Sequence, residues 1–280
     1  MWTGPCGRAS HGGCSEPSAA SNRPFGMACF RNMTLFSVEG KTVVVTGGSR
    51  GIGRMIAAGF VEAGASVYIS ARKTAEVEKT AAELGCVAVP ADLSTPEGLE
   101  SLVSAVDGPL HVLVNNAGAT WGAPLEEYPE HAFDKLWNIN VKGVFYLTQQ
   151  FLPRLREAAS ADDPARVINV GSIDGIKVPA LPSYAYSSTK SAVHMLTRHL
   201  ARHLAKEHIT VNAIAPGPFD SKMMAFALDD PETRESIASS VPMGRIGRPD
   251  DMAGAAIYLS SRAGAYLTGT VIPVDGGISC

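Results

Sequence analysis

Tyr186 and Lys190, four residues apart in Ser183-Tyr184-Ala185-Tyr186-Ser187-Ser188-Thr189-Lys190, are the side chains best suited to moving a proton. The stretch from there to about Glu207 is helix-forming. Residues four apart stack on one helix face, so a phenol would sit beside an ammonium. A free phenol has a pKa of roughly 10, and a nearby positive charge favours the phenolate. The expectation is a phenol with a lowered pKa, able to give or take a proton near neutrality. Tyr184 has no such partner, because Ser188 stands four residues on. The pattern alone is short, and a half-buried tyrosine beside a solvated lysine would also produce it.

The elements that must position this pair are legible as alternation. Short apolar runs near 42–46, 66–70, 86–89, 110–114, 166–170, 209–214 and 270–274 read as strands. Helix-forming stretches fall between them, near 52–63, 74–84, 95–106, 131–158, 184–207 and 252–259. The fifth strand ends Val170-Gly171-Ser172, a hydroxyl just ahead of the Tyr186 helix. Strands alternating with helices give a parallel sheet covered on both faces. The expected fold is α/β: a single doubly wound Rossmann domain with a seven-stranded, mostly parallel sheet over 34–280.

Composition narrows the function classes. Of 280 residues, 45% are hydrophobic and 18% charged, below the usual ~25% charged, as suits a sheet buried on both faces. Net charge is −3 with no run of one sign, which speaks against a nucleic-acid surface. No apolar run approaches the ~20 residues of a membrane span. The five cysteines, Cys6, Cys14, Cys29, Cys86 and Cys280, form no CxxC, so neither a disulfide framework nor a metal site is expected. A reducing, cytoplasmic setting follows. Residues 1–33 are rich in Gly, Ser, Ala and Pro and read as a disordered tail, or as an extension upstream of Met27 or Met33. Arg8, Arg23 and Arg31 leave a transit peptide as the alternative, against which the Gly and Pro residues speak.

Gly47, Gly51 and Gly53 lie between the first strand and a helix. Glycine admits positive φ and close approach of a ligand, and a helix start presents free N–H groups and a positive dipole end. That suits a pyrophosphate, although the spacing is GxxxGxG rather than the GxGxxG of the standard dinucleotide fingerprint. An acidic residue after the second strand would hydrogen-bond the ribose of NAD. Here the residues are Ser70-Ala71-Arg72-Lys73, and Arg50 lies inside the glycine loop. A guanidinium suits a 2′-phosphate, so the expected cofactor is NADP(H). Asp92 is placed either to meet the adenine amino group or simply to cap a turn ahead of Ser94.

With these residues in hand, the chain resembles the short-chain dehydrogenase/reductase family over nearly all of Lys41 to Gly277. The motifs that carry the resemblance are Thr46-Gly47 to Gly53, Asp92, Asn115-Asn116-Ala117-Gly118, Asn140, Ser172, Tyr186 with Lys190, and Pro216-Gly217. Within the family it is most similar to NADPH-dependent 3-oxoacyl reductases of the rhamnolipid-precursor kind. The runs Gly118-Ala119-Thr120-Trp121-Gly122-Ala123 and Ile272-Pro273-Val274-Asp275-Gly276-Gly277 are among those that carry this closer likeness. The resemblance implies a relay in which Tyr186 protonates the carbonyl oxygen and Ser172 hydrogen-bonds it. Lys190 would hold the nicotinamide ribose, and Asn140 would fix a water that feeds Lys190. It further implies cofactor contacts from Thr46, Ser49, Ile52, Leu93, Asn116, Ala117, Gly118, Pro216, Gly217 and Ser221, and a homotetramer joined through 131–158 and 184–207. Ser172 precedes Tyr186 by 14 positions, one more than in many members, so the loop 173–183 should shape its pocket differently.

Residues 217–246, with Met223, Met224, Phe226 and Leu228, read as a substrate lid or as an ordinary surface helix. Trp121 walls the pocket or belongs to the core. His199 and His203 are four apart but lack a third ligand, which favours an interface over a metal. The small-molecule substrate is then a 3-oxoacyl thioester or another ketone, quinone, sugar or steroid. A reading of another class is a non-catalytic NADP-binding regulator.

Overall fold

Val43, Val44 and Val45 are all fully buried, yet they belong to two different cores. Val43 and Val45 pack with Ile56, Phe60 and Met252, while Val44 packs with Leu102, Leu147 and Phe151. Successive residues of a strand point to opposite faces, so this strand must be covered on both. It is β1 (Thr42–Thr46) of a computed structural model that describes residues 33–221, 224 and 229–280. The chain divides into two units, Met1–Met33 and Thr34–Cys280. The expectations for the N-terminal tail fall on residues 1–32, outside the described residues.

The strands that follow are β2 (Ser66–Ala71), β3 (Val87–Pro90), β4 (Val112–Asn115), β5 (Ala165–Val170), β6 (Ile209–Pro216) and β7 (Val271–Val274). Their order in the sheet is β3-β2-β1-β4-β5-β6-β7, and every neighbouring pair is parallel. Helices α1 (Gly51–Glu62) and α2 (Thr74–Leu84) follow β1 and β2, and α3 (Pro96–Ser104) follows β3. Then come α4 (Glu130–Trp137), α5 (Gly143–Ala158), α6 (Tyr184–Leu204), α7 (Pro231–Ser240) and α8 (Pro249–Ser260). The single long helix expected over 131–158 is two helices joined by a π-helical turn, Asn138–Lys142. Leading away from β1, the chain builds β2 and β3 on one side and β4 to β7 on the other. The reversal opens a crevice beyond the carboxyl ends of β1 and β4, where ligands of such sheets bind.

Polar side chains brace this crevice from below. Asn115 and Asn169 face each other in the β4–β5 register. Asn115 Nδ2 donates to Asn169 Oδ1 at 2.9 Å and to Thr148 Oγ1 at 3.1 Å. Asn169 Nδ2 in turn donates to Thr197 Oγ1 on α6 at 2.9 Å. All four groups are buried, and a buried donor or acceptor left without a partner costs about 1–3 kcal/mol. Asn115→Ala should therefore destabilise the protein by about 2–3 kcal/mol, read as a lower urea midpoint with an unchanged slope.

Candidate active site

Tyr186 lies in the first turn of α6, with Lys190 one turn on. The Lys190 ammonium is 5.6 Å from the centre of the Tyr186 ring, so the two share one helix face as the spacing requires. The consequence for the phenol is the reverse of the sequence expectation. Burial pushes the Tyr186 phenol up to about 12, the contact with the Ser172 hydroxyl pulls it back in part, and Asp174 pushes it up again. Burial also acts on Lys190, whose ammonium is brought down to about 8. Lys190 is 6% exposed, and its Nζ donates to the Val170 carbonyl at 2.7 Å. Desolvation, which no spacing in the sequence reports, is the largest cause of both shifts.

Ser172 follows β5 after Gly171 and is buried near Tyr186. Its Oγ accepts the Asp174 N–H at 3.1 Å, and the hydroxyl lies near enough to the phenol to favour its ionised form. Asp174, which the sequence reading passed over, is held above the usual carboxylate range by burial. Asn140 sits in the π-helical turn, almost fully buried. Its Nδ2 donates to the Ala119 carbonyl and to Thr189 Oγ1, each at 3.0 Å, and its Oδ1 accepts the Ala119 N–H at 2.9 Å. Both amide hydrogens are thereby used within the protein. The Asn140 side chain thus fixes the turn after β4 against α6, and its Oδ1 keeps a second lone pair open to a further donor.

The glycine loop closes on the same turn. Gly47 has φ +64°, and a Cβ on Gly53 would strike the Gly47 carbonyl and Asn116 Nδ2. Asn116 Nδ2 donates to the Thr46 carbonyl at 2.7 Å, and the N–H groups of Asn116 and Ala117 both reach Thr46 Oγ1 at 2.9 Å. Gly118 lies where a Cβ would come 3.0 Å from Asn140 Oδ1 and 3.7 Å from Lys190 Nζ. Thr46, the glycines, Asn116 to Gly118, Asn140 and Lys190 therefore form one continuous wall. Arg50 precedes α1 with no side chain capping that helix, so its first N–H groups face the loop. Ser221 approaches Gly51, where an added Cβ would come 3.1 Å from Ser221 Cβ. Pro216 ends β6, and the N–H of Gly217 just after it donates to the Val274 carbonyl.

Farther along the crevice, Arg50 Nη1 and Lys73 Nζ both contact Glu76, at 3.2 and 2.7 Å. Asp92 Oδ1 accepts from the Ser94 N–H and hydroxyl. Burial works against its charge, but those two bonds and Arg72 hold its carboxyl below the usual range. Ser49 offers its carbonyl to Thr80, Ile52 packs against the first core, and Leu93 is buried in the second. Trp121 is half-buried, edge-on to His131 with Lys135 above it. In the stretch 217–246, Pro218 and Phe219 are pinned to Gly247, whereas Met223, Phe226 and Leu228 lie outside the described residues. His199 and His203 stand with Nε2 atoms 3.1 Å apart on exposed α6 surface.

A family model described as enoyl-(acyl carrier protein) reductase matches residues 47–279. The rhamnolipids biosynthesis 3-oxoacyl-[acyl-carrier-protein] reductase of Pseudomonas aeruginosa is 51% identical over 249 residues, 86% of this chain and 97% of that protein. A solved Pseudomonas aeruginosa RhlG/NADP active-site complex superposes with a TM-score of 0.86 at 50% identity, over 88% of this chain and 99% of that one. The chain belongs to the short-chain dehydrogenase/reductase family. A second solved relative, the 3-ketoacyl-(acyl-carrier-protein) reductase from Brucella melitensis complexed with NADH, is 33% identical with a TM-score of 0.79 over 87% of this chain and all of that one. As a short-chain dehydrogenase/reductase the protein is an oxidoreductase, of a family that uses NAD(P).

In this short-chain dehydrogenase/reductase the buried amine makes a prediction with a definite sign. Folded Lys190 loses its proton near 8, against an ordinary value of 10.5. Between those values the unfolded chain binds more protons than the folded one, so stability contributed by Lys190 rises with pH. Wild type should gain stability relative to Lys190→Met from pH 8 to pH 10, by at most ~1.4 kcal/mol per pH unit. Urea unfolding of the two cofactor-free proteins across that range measures the difference, and parallel profiles would exclude a perturbed amine.

Proposed function

We propose that this chain reduces a ketone to a secondary alcohol with NADPH, and that the ketone belongs to a 3-oxoacyl thioester. One observation carries the reading. The Ser172 hydroxyl lies near the Tyr186 phenol, with Lys190 buried one turn away, beside the wall formed by the glycine loop and Asn116 to Gly118.

When bound, NADPH supplies the hydride. Tyr186, protonated at neutral pH, gives its proton to the carbonyl oxygen, and Ser172 donates a hydrogen bond to that oxygen as charge develops on it. Lys190 has donors beyond the one given to Val170 and offers them to the nicotinamide ribose and toward the phenol. Asn140 keeps Gly118 and Ala119 in place behind the cofactor. Gly47, Gly51 and Gly53 with the start of α1 hold the pyrophosphate. Thr46, Ser49, Ile52, Leu93, Ala117, Pro216, Gly217 and Ser221 border the remainder.

The absence of a carboxylate after β2, where Arg72 and Lys73 stand, supports NADPH over NADH. The substrate class is supported by the name of the relative at 51% identity. It is also supported by Ile176, Val178 and Leu181, exposed apolar side chains on the loop between Ser172 and Tyr186 that an acyl chain would cover. A homotetramer is supported by Phe133, Trp137, Phe145 and Tyr146, exposed on α4 and α5. A cytoplasmic setting is supported by the free thiols Cys86 and Cys280, and no described helix is long and apolar enough to cross a membrane.

The test is NADPH consumption with a panel containing a 3-oxoacyl thioester and simple ketones. The thioester should turn over best, and Tyr186→Phe should lose at least a thousandfold in kcat while still binding NADPH. Retained turnover in that variant would move the proton donor elsewhere. Arg50→Ala and Arg72→Ala should each raise the KM for NADPH about tenfold, near the ~1.4 kcal/mol of one charged contact, and leave that for NADH unchanged. Equal effects on both cofactors would sink the assignment of the 2′-phosphate site.

A further inference from the structure

His194 continues the stripe of Tyr186 and Lys190, one further turn along α6. It is 4% exposed and plays no part in the relay proposed above. Its ring lies against the segment that carries Ser172. A Cβ on Gly171 would run into His194 Nε2 and come 2.7 Å from Cδ2. A Cβ on Gly175 would come 2.8 Å from His194 Cε1 and 2.8 Å from the Lys190 carbonyl carbon. Neither glycine has a positive φ, so backbone conformation does not explain either one. What explains them is space, and His194 occupies it on both sides of Ser172.

His194 Nε2 is buried without a hydrogen-bond partner, and the Gly175 carbonyl lies near enough to the ring to act on its charge. The Gly175 carbonyl also accepts from Ser191 Oγ at 3.1 Å. The turn Ile173–Gly175, whose N-cap is Ser172, is thus tied to α6 at its far end through Ser191. At its near end it is wedged by an imidazole edge that no other group contacts by hydrogen bond. A purely apolar side chain would fill a similar volume without burying an unmet nitrogen, but it would face the Gly175 carbonyl without a polar edge.

We infer that His194 is a positioning residue: its ring seats the segment from Gly171 to Gly175 on α6 and thereby fixes where the Ser172 hydroxyl meets the Tyr186 phenol. The inference rests on the proposed role of Ser172 and extends it to a residue that touches neither substrate nor cofactor. Tyr186, Lys190 and His194 then act as one ruler on α6. Two of its marks face the reacting atoms, and the third sets the serine against them.

Four proteins test this beside wild type: His194→Leu, His194→Asn, Gly171→Ala, and Gly171→Ala combined with His194→Asn. Each is assayed for kcat and for the KM of NADPH with whichever ketone wild type reduces, and each is melted. His194→Leu should lower kcat at least tenfold with the KM for NADPH within twofold. His194→Asn keeps an N–H near the place of Nδ1 and should recover most of that loss. Gly171→Ala should lower both kcat and melting temperature by collision with the ring, and the shorter asparagine at 194 should restore both. Unchanged kcat in His194→Leu, equal losses for Leu and Asn, or a double variant no better than Gly171→Ala would each overturn the inference. Should wild type reduce no ketone, the reductase reading fails separately. The melting temperatures then decide the seat alone: restoration by His194→Asn supports it and no restoration refutes it.

Discussion

The site is organised around keeping one ammonium out of water. A buried cation is costly unless protein groups replace its hydration. Lys190 has the Val170 carbonyl at 2.7 Å as its partner within the chain and accepts a pKa near 8 as the consequence. The groups around it are those the proposed relay would use. Val170 is two residues ahead of Ser172, Thr189 is its neighbour on α6, and Gly118 lies between Asn140 and the amine. A displaced end of β5 would cost the amine its carbonyl partner and move the serine with it.

The π-helical turn at Asn138–Lys142 serves the same end. A regular helix through this stretch would carry its side chains around at a constant angle, whereas a π turn locally resets that register. Asn140 points inward with its amide fully engaged, joining Ala119 after β4 to Thr189 on α6. Thr189 passes the link on by donating to the Tyr186 carbonyl at 2.8 Å. The first turn of α6 and the turn after β4 are therefore held in register by side chains rather than by sheet hydrogen bonds. The strands provide the crevice, and this short polar chain provides the alignment across it.

Much of this was legible in the sequence, for reasons that can be stated residue by residue. Val43 to Val45 announce a strand buried on both faces, Gly47 to Gly53 a close backbone approach, and the four-residue interval from Tyr186 to Lys190 a shared face. Each is a local pattern with a local cause. The direction of the Tyr186 shift was not legible, because desolvation depends on what the rest of the chain lays over the phenol. Glu76 between Arg50 and Lys73 was hidden for the same reason: its partnership with Arg50 spans 26 positions. His194 could not be told apart in the sequence from the exposed His199 and His203, since periodicity along α6 does not say which stripe meets Gly171. Asn115 looked like part of a cofactor motif, and its side chain proves to be a strut between β4 and β5.

A phenol with a pKa near 12 bears on the direction in which such a relay works well. No catalyst moves an equilibrium, but reduction and oxidation draw on different protonation states of the same group. Reduction uses the protonated phenol, which is nearly the whole population at neutral pH. Oxidation uses the phenolate, which is scarce there and more plentiful in alkali. Lys190 loses its own charge well below the range in which the phenol ionises. As pH rises the ammonium is therefore lost first, and the phenol stays protonated beyond it. A site built this way stands ready to give a proton at neutral pH, and in the proposed relay that is the step by which a ketone oxygen becomes a hydroxyl.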